Sequence, residues 1–309
     1  MTDPRAIESP EVLDALQRAC AAVRAAMDPA LLELCRLRIA GLLGDDAEAA
    51  ARPWGAVHAE KVALLAEWPG ADAFDDRDRA ALALAEQFVL DVGGVVTGPL
   101  AESAGVLGAE VGPLVQGLYL LDVGQRVQIV LGRLFGETVT SSDWAWPADD
   151  AAIPADPMVA IMEVMAAVGR LQLLDPVTKE LVRLRGARLH RCRRCQSVRS
   201  VAALDAGATD ELLAAEDPGS VTTLSLSAQA SVELVDATFL GRPELDDELF
   251  GRLTRDMDSE ELVELVDYLL RNACNKIAVA FGADAAIVDE GFEYQVIDAA
   301  GETVTVDAR

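Results

Sequence analysis

The sequence predicts an all-α protein made of two similar helical domains. Three observations lead to this prediction: the composition, the spacing of apolar residues, and a segment that occurs twice. The chain has 309 residues, of which 51% are hydrophobic and only 5% aromatic. A core of that composition is built mainly from Ala, Leu and Val, and Ala and Leu are strong helix formers. The length suffices for one large domain or two ordinary ones.

The repeated segment supports two domains most directly. Residues 28–42 read DPALLELCRLRIAGL and residues 175–189 read DPVTKELVRLRGARL, with nine identities in fifteen positions at an offset of 147. Chance gives about one identity in such a window, so we interpret the match as a duplication. The predicted domains are residues 1–145 and 146–309. They are joined by the Ser-, Asp- and Pro-containing stretch at 140–156, which is typical of a linker.

Apolar and charged residues recur at three and four positions within each copy, which predicts helices. Asp-Pro opens both matched segments, and this pair suits the start of a helix because Asp caps free amides and Pro fits the first helical position. Alternating residues appear only near the end of the chain. There EYQVID and ETVTVD flank Ala-Ala-Gly, which predicts a small terminal β-hairpin.

The charge and the cysteines limit the classes of function. The net charge is −26, so duplex nucleic acid and anionic membrane surfaces are poor partners. The sequence contains no run of about 18 uninterrupted apolar residues, so no membrane-spanning helix is predicted. The chain begins without a basic region followed by an apolar run, and its cysteine count is odd. We therefore expect a reducing cytoplasm and no disulfide scaffold.

The chemistry is concentrated in residues 180–199, ELVRLRGARLHRCRRCQSVR. Cys192 and Cys195 form a Cys-x-x-Cys pair, and seven arginines lie between residues 183 and 199. If the helix continues, the two cysteines and Arg199 share one side. Nearby cations favour the thiolate, and a thiolate with a second thiol three residues away can attack an oxidant and be resolved as a disulfide.

Other interpretations of the pair are weaker. A zinc site needs four ligands, and the chain has only two histidines and no second Cys-x-x-Cys. No metal site is therefore predicted. A thioredoxin-type site needs a βαβ context, which the helical pattern does not supply. The cysteines could also be small core residues, although so many arginines are hard to bury.

Glu180 lies twelve residues before Cys192, which on one straight helix is about 18 Å of rise. It can approach the cysteines only if the chain turns between them, and a turn near Gly186 or His190 would allow this. Without such a turn, we expect Glu180 to pair with Arg183 on the next helical turn.

The Cys-x-x-Cys pair is preceded by Glu180 and LVRLRGARL, with eleven residues between Glu180 and Cys192, and it is followed by AGATDELL. This pattern resembles the AhpD-like alkylhydroperoxidase (carboxymuconolactone decarboxylase-like) family. The resemblance implies an all-helical fold, a two-repeat chain and assembly as a trimer. It implies that Glu180 accepts a proton, that Cys195 attacks a peroxide and that Cys192 resolves the product. No bound cofactor is implied; an external thiol or dithiol, or a reductant protein, would restore the thiols.

The sequence departs from that family at Arg199, where the peroxidase members have a histidine. Arginine stays charged at neutral pH and cannot relay protons, but it can hold a thiolate or bind an anionic substrate. His190 is a second candidate for substrate binding. The first copy departs further, because Asp45 and Glu48 stand opposite the two cysteines. That copy is expected to be redox-inert and structural.

Two functions follow, beside a third option in which the protein is a scaffold that has lost catalysis. The first is a thiol-dependent oxidoreductase that reduces a hydroperoxide or similar small oxidant through a Cys192–Cys195 cycle. The alternative is a non-redox lyase of the carboxymuconolactone decarboxylase type, or a binder of a small anion, in which Arg199 clamps a carboxylate.

Overall fold

The computed structural model describes residues 9–136, 140–147, 152–215 and 224–306, and it confirms the all-α prediction. The helices before residue 145 are α1 (Pro10–Ala26), α2 (Pro29–Leu43), α3 (Asp46–Ala50), α4 (Ala59–Ala63), α5 (Asp76–Leu90), α6 (Leu100–Leu107), α7 (Val111–Phe135) and α8 (Ser141–Trp144). The later helices are α9 (Pro157–Gly169), α10 (Pro176–Leu189), α11 (Arg193–Gln196), α12 (Val201–Asp205), α13 (Asp210–Ala214), α14 (Leu226–Phe239), α15 (Asp247–Asp256), α16 (Ser259–Ala273) and α17 (Asn275–Ala280).

The repeated segment forms the same local structure in both places. Asp28 caps α2 by accepting the N–H of Ala30, and Asp175 caps α10 by accepting the N–H groups of Val177 and Thr178. Each helix then begins at the proline that follows its capping aspartate. The Asp-Pro signal therefore predicts both helix starts correctly.

The helices of the two halves pack in corresponding ways and share one core. Helix α2 packs on α5 and α7, whereas α10 packs on α14 and α16. Helices α1 and α9 pack against each other and join the halves. One continuous cluster of buried apolar side chains reaches from Val12 in α1 to Ala280 in α17. The domain boundary at residue 145 stays a prediction.

The predicted linker is partly built into this core. Trp144 and Ala145 are buried, and Trp146 lies between the guanidinium groups of Arg24 and Arg52, each 3.7 Å from the ring centre. Residues 148–151 of the linker lie outside the described residues. The described part of the linker therefore packs against the first half of the chain.

Helix α7 runs through the centre of the molecule. Residues 100–135, which include it, form the one stretch among the described residues that is long and apolar enough to cross a membrane by length and composition. A core helix passes the same test. Buried ion-paired residues, Asp122 and Arg126, lie on α7 and their closest side-chain atoms are 2.7 Å apart. This pattern is typical of a helix packed among other helices.

The terminal hairpin is confirmed, and it belongs to a larger sheet than predicted. Strands β2 (Glu293–Ile297) and β3 (Thr303–Val306) are antiparallel, as the alternating pattern predicts. A third strand, β1 (Val198–Ser200), pairs with β2 in parallel. The sequence pattern misses β1 because three residues are too few to show alternation. This strand brings the end of the chain to the cysteine pair.

Candidate active site

A tight turn after α10 carries the chain back toward Glu180. His190 ends the helix, and Arg191 adopts a left-handed conformation with φ of 57°. The N–H of Cys192 donates to the carbonyl of Ala187 at 2.9 Å, which closes the turn. This hydrogen bond and the left-handed residue form a Schellman-type helix end, a place that usually holds glycine. The predicted turn near His190 is thus present.

Cys192 and Cys195 form a disulfide across the turn, with their Cα atoms 5.4 Å apart. Cys192 is 1% exposed and packs in the hydrophobic core, whereas Cys195 is half-buried. The N–H of Cys195 donates to Sγ of Cys192 at 3.2 Å. The disulfide therefore joins a buried cysteine, Cys192, to one that solvent can reach, Cys195. The expectation that arginines keep both cysteines out of the core is wrong for Cys192, because the arginine side chains turn outward or pair.

Glu180 is 1% exposed and lies beside this turn. Its two carboxylate oxygens accept from Nε and Nη2 of Arg183, each at 2.7 Å, and Oε1 also accepts the N–H of Ser200 at 3.1 Å. Arg183 continues to the carbonyls of Cys195 at 2.7 Å and Val198 at 2.9 Å. Glu180 is thus connected to the cysteine turn through Arg183.

Arg199 does not continue the helical stripe that the sequence suggests, because α11 ends at Gln196 and Arg199 lies on β1. Its guanidinium stacks 3.6 Å from the ring centre of Phe292 and donates to the carbonyls of Gln196 and Val198. The side chain is 5% exposed, and burial lowers the pKa of Arg199. The group that was expected to clamp an anion therefore faces the protein's own backbone and hairpin.

His190 points away from the Glu180 side of the turn. Its Nδ1 lies 2.8 Å from Oδ1 of Asn275, and its ring meets the ring of Phe239 edge-on. Nε2 is buried and has no hydrogen-bond partner among the described residues. Burial, assisted by the charge of Lys276, lowers the pKa of His190 to about 3. The imidazole is therefore neutral at physiological pH, and its predicted role in substrate binding stays a prediction.

The segment after α17 holds the other side of the cysteine turn. The carboxylate of Asp284 accepts the N–H of Arg193 at 2.9 Å and pairs with its guanidinium at 2.7 Å. The carbonyl of Asp284 accepts the N–H of Arg194 at 2.9 Å. These bonds satisfy the first amides of α11. They also lower the pKa of Asp284, principally through its hydrogen bond with Arg193.

The first half repeats this geometry without sulfur. Gly44 takes the left-handed place of Arg191, and Asp45 takes the place of Cys192 by accepting the N–H of Glu48 at 3.0 Å. Glu48 stands where Cys195 stands in the second half. Its carboxylate pairs with Nη1 of Arg36 at 2.7 Å, and Arg36 binds both oxygens of Glu33 at 2.8 Å.

The remaining cysteines do not join the site. Cys35 is fully buried, and burial raises its pKa to about 12. Burial also raises the pKa of Cys274 to about 12. Within the described ranges, no group of three or more His, Cys, Asp or Glu side chains could hold a metal ion.

The comparisons with known proteins identify a family for the second half of the chain. A family model described as "Carboxymuconolactone decarboxylase family" matches residues 156–236, which include Glu180, Cys192, Cys195 and Arg199. The chain belongs to the carboxymuconolactone decarboxylase family. Members of this family are generally enzymes of decarboxylase or peroxidase-like type.

Two proteins of Mycobacterium tuberculosis are similar to this family member. They are the uncharacterized proteins MT2376 (strain CDC 1551 / Oshkosh) and Rv2313c (strain ATCC 25618 / H37Rv). Each is 35% identical over 227 residues, which cover 71% of this chain and 78% of the relative. No solved structure matches the chain.

Sequence reasoning paired Arg183 with Glu180 but missed its bonds to the cysteine turn, and it missed Asp284 altogether. Arg183 had a usable signal, because Glu-x-x-Arg occurs in both copies of the repeat, as Glu33–Arg36 and as Glu180–Arg183. Asp284 had none, since it lies about ninety residues from its partners and only the fold brings it there.

Proposed function

We propose that this protein is a dithiol–disulfide oxidoreductase that reduces a hydroperoxide or a similar small oxidant. The observation that carries the proposal is the Cys192–Cys195 disulfide on a tight turn, with Cys195 accessible and Cys192 sealed. A reactive thiol must be reachable by its substrate, and its resolving partner must be close enough to form a disulfide. The arrangement meets both requirements.

The reaction balances with two thiols, one hydroperoxide and one external dithiol. The Cys195 thiolate attacks the peroxide, an S–O bond forms, the O–O bond breaks, and the alkoxide leaves with a proton as an alcohol. Cys192 then attacks the sulfenic acid, the disulfide forms and water leaves. The two cysteines have lost two electrons, and the peroxide has gained them. An external dithiol returns two electrons and two protons by exchange.

Glu180 is our candidate for the proton acceptor, because it is the carboxylate connected to the Cys195 backbone through Arg183. Arg199 has a different proposed task. Its stacking on Phe292 and its bonds to backbone carbonyls favour a role in holding β1 beside the cysteine turn. That arrangement favours the redox proposal over the anion-binding alternative, which needs a guanidinium that faces a substrate.

The test is the thiol state of the reduced protein before and after one equivalent of a hydroperoxide. Mass spectrometry should find one new Cys192–Cys195 disulfide, and peroxide turnover with a dithiol reductant should be lost in Cys195→Ser. Cys274→Ser is the matched control, because Cys274 is also half-buried and its thiol has a raised pKa. Full turnover in Cys195→Ser, or oxidation of other cysteines only, would refute the proposal. The trimer, the reductant protein and the cytoplasmic location stay predictions.

A further inference from the structure

The guanidinium of Arg183 connects α10 to the turn that carries both cysteines. Two of its nitrogens bind the Glu180 carboxylate, and Nη1 donates to the carbonyl of Cys195 at 2.7 Å. Burial works against its charge, but Glu180 outweighs burial and leaves the pKa of Arg183 above its ordinary value. Arg183 is thus a permanent cation within hydrogen-bonding distance of the Cys195 backbone.

The first half shows what this guanidinium can hold. Arg36 binds Glu33 through two nitrogens, as Arg183 binds Glu180, and its Nη1 also donates to the carbonyl of Glu48. The same Nη1 lies 2.7 Å from the carboxylate of Glu48. One nitrogen therefore faces both the carbonyl and the anionic side chain of the residue that takes the place of Cys195.

We infer that Arg183 positions and stabilises the Cys195 thiolate of the reduced protein, in the place where Arg36 holds the Glu48 carboxylate in the first half. The inference deepens the proposed function, on which it rests, because the thiolate is the form of Cys195 that would attack an oxidant. In the disulfide the sulfur carries no charge, and Nη1 is left with the carbonyl alone.

Of the other charged groups around the turn, Arg194 is exposed to solvent, and several more are held by partners of their own. On the loop after α17, Asp284 is paired with Arg193 at 2.7 Å. On β1, Arg199 stacks on Phe292 and lies near Asp210. On α16, burial raises the pKa of Tyr268, which keeps that phenol neutral beside the Glu180–Arg183 pair.

Because Glu180 and Arg183 carry opposite charges, neutralising each one should shift the pKa of Cys195 in opposite directions. Arg183→Met removes the cation and leaves the carboxylate, so we expect the thiol pKa to rise by about one unit or more. That shift corresponds to a roughly tenfold slower reaction with iodoacetamide at pH 7. Glu180→Gln leaves the cation uncompensated, so we expect the thiol pKa to fall.

The measurement is the pH profile of iodoacetamide labelling of reduced protein, followed by mass spectrometry of the peptide that contains Cys195. Arg36→Met is the matched control, because it breaks the corresponding buried pair in the half without thiols and should leave the profile unchanged. Arg183→Lys keeps the charge and should lie near the wild type. It also serves as the working variant if Arg183→Met does not fold.

Three results would overturn the inference. The first is a shift of the profile in the same direction in Glu180→Gln and Arg183→Met, which is what loss of a purely structural pair produces. The second is a shift in Arg36→Met as large as that in Arg183→Met. The third, where Arg183→Lys is the variant that folds, is a rise of a full unit in the pKa of Cys195. Since labelling needs no peroxide, these results are separate from a failure of wild-type protein to form the disulfide, which would refute the proposed function alone.

Discussion

The stability of this protein should depend on the protonation of one buried carboxyl group, Asp267 on α16. The residue is 4% exposed, and its Oδ2 has no hydrogen-bond partner among the described residues. Burial, with the charge of Glu264 one turn earlier, raises the pKa of Asp267 to about 8. The carboxylate of Glu264, in contrast, has its own partners, because it pairs with Lys179 at 2.6 Å and accepts the N–H of Leu173 at 2.6 Å.

The sign follows from the difference between the folded and unfolded states. An unfolded Asp ionises near its ordinary pKa of 3.8, whereas the folded residue keeps its proton to about pH 8. Its contribution to stability is therefore fully present below about pH 4 and is lost as the pH rises to 8. Between pH 5 and 7 the loss from this one group is about 3 kcal/mol, since each pH unit corresponds to about 1.36 kcal/mol.

Asp267→Asn removes the titration while keeping the shape of the side chain. We expect the variant to gain about 3 kcal/mol relative to wild type between pH 5 and 7, and the difference to level off above pH 8. Urea unfolding at pH 5, 6, 7, 8 and 9 measures this, and titrations common to both proteins cancel. Glu264→Gln is the control, because it removes the like charge and should flatten the dependence only partly. A difference between Asp267→Asn and wild type that stays constant from pH 5 to 9 would refute the reasoning.

Two further predictions concern His190 and the buried pair of the first half. The pKa of His190 lies below its ordinary value of 6.5 at about 3 in the folded protein, so its contribution to stability is present above pH 6.5 and is lost as the pH falls. Wild type should therefore lose about 1 kcal/mol between pH 8 and 5.5 that His190→Asn does not lose in urea unfolding, and equal losses would contradict the assignment. Arg36→Met should lower the free energy of unfolding by about 3–5 kcal/mol, because it leaves two buried carboxylates without their cation. Arg77→Met, which breaks an exposed pair with Glu110, should cost less than about 1 kcal/mol, and similar losses for both arginines would refute the distinction.

Local patterns predicted much of this fold and the cysteine pair that forms the disulfide. Asp28–Pro29 and Asp175–Pro176 predicted two helix starts, and alternation predicted the hairpin of β2 and β3. These features depend on neighbours in the chain, namely a capping side chain, a fixed proline φ and side chains on alternate faces of a strand. The spacing of Cys192 and Cys195 likewise allows a disulfide once the chain turns between them, and their Cα atoms lie 5.4 Å apart.

Distant contacts decided how the surrounding residues are used. Arg199 had the right charge for an anion clamp, but β1 and Phe292 direct it toward the protein's own backbone. His190 adjoins the cysteines in sequence, yet Asn275 and Phe239 hold its ring elsewhere.

The amino-acid sequence by itself thus specified the helices, the repeated segment and the cysteine pair, because these features depend on interactions over a few residues. Tertiary packing specified which charges meet. It placed Arg183 on the Cys195 carbonyl, and it brought Asp284 to the far side of the same turn. The physical reason is that a buried charge is stable only beside a partner, and partners far apart in sequence become neighbours only when the helices pack.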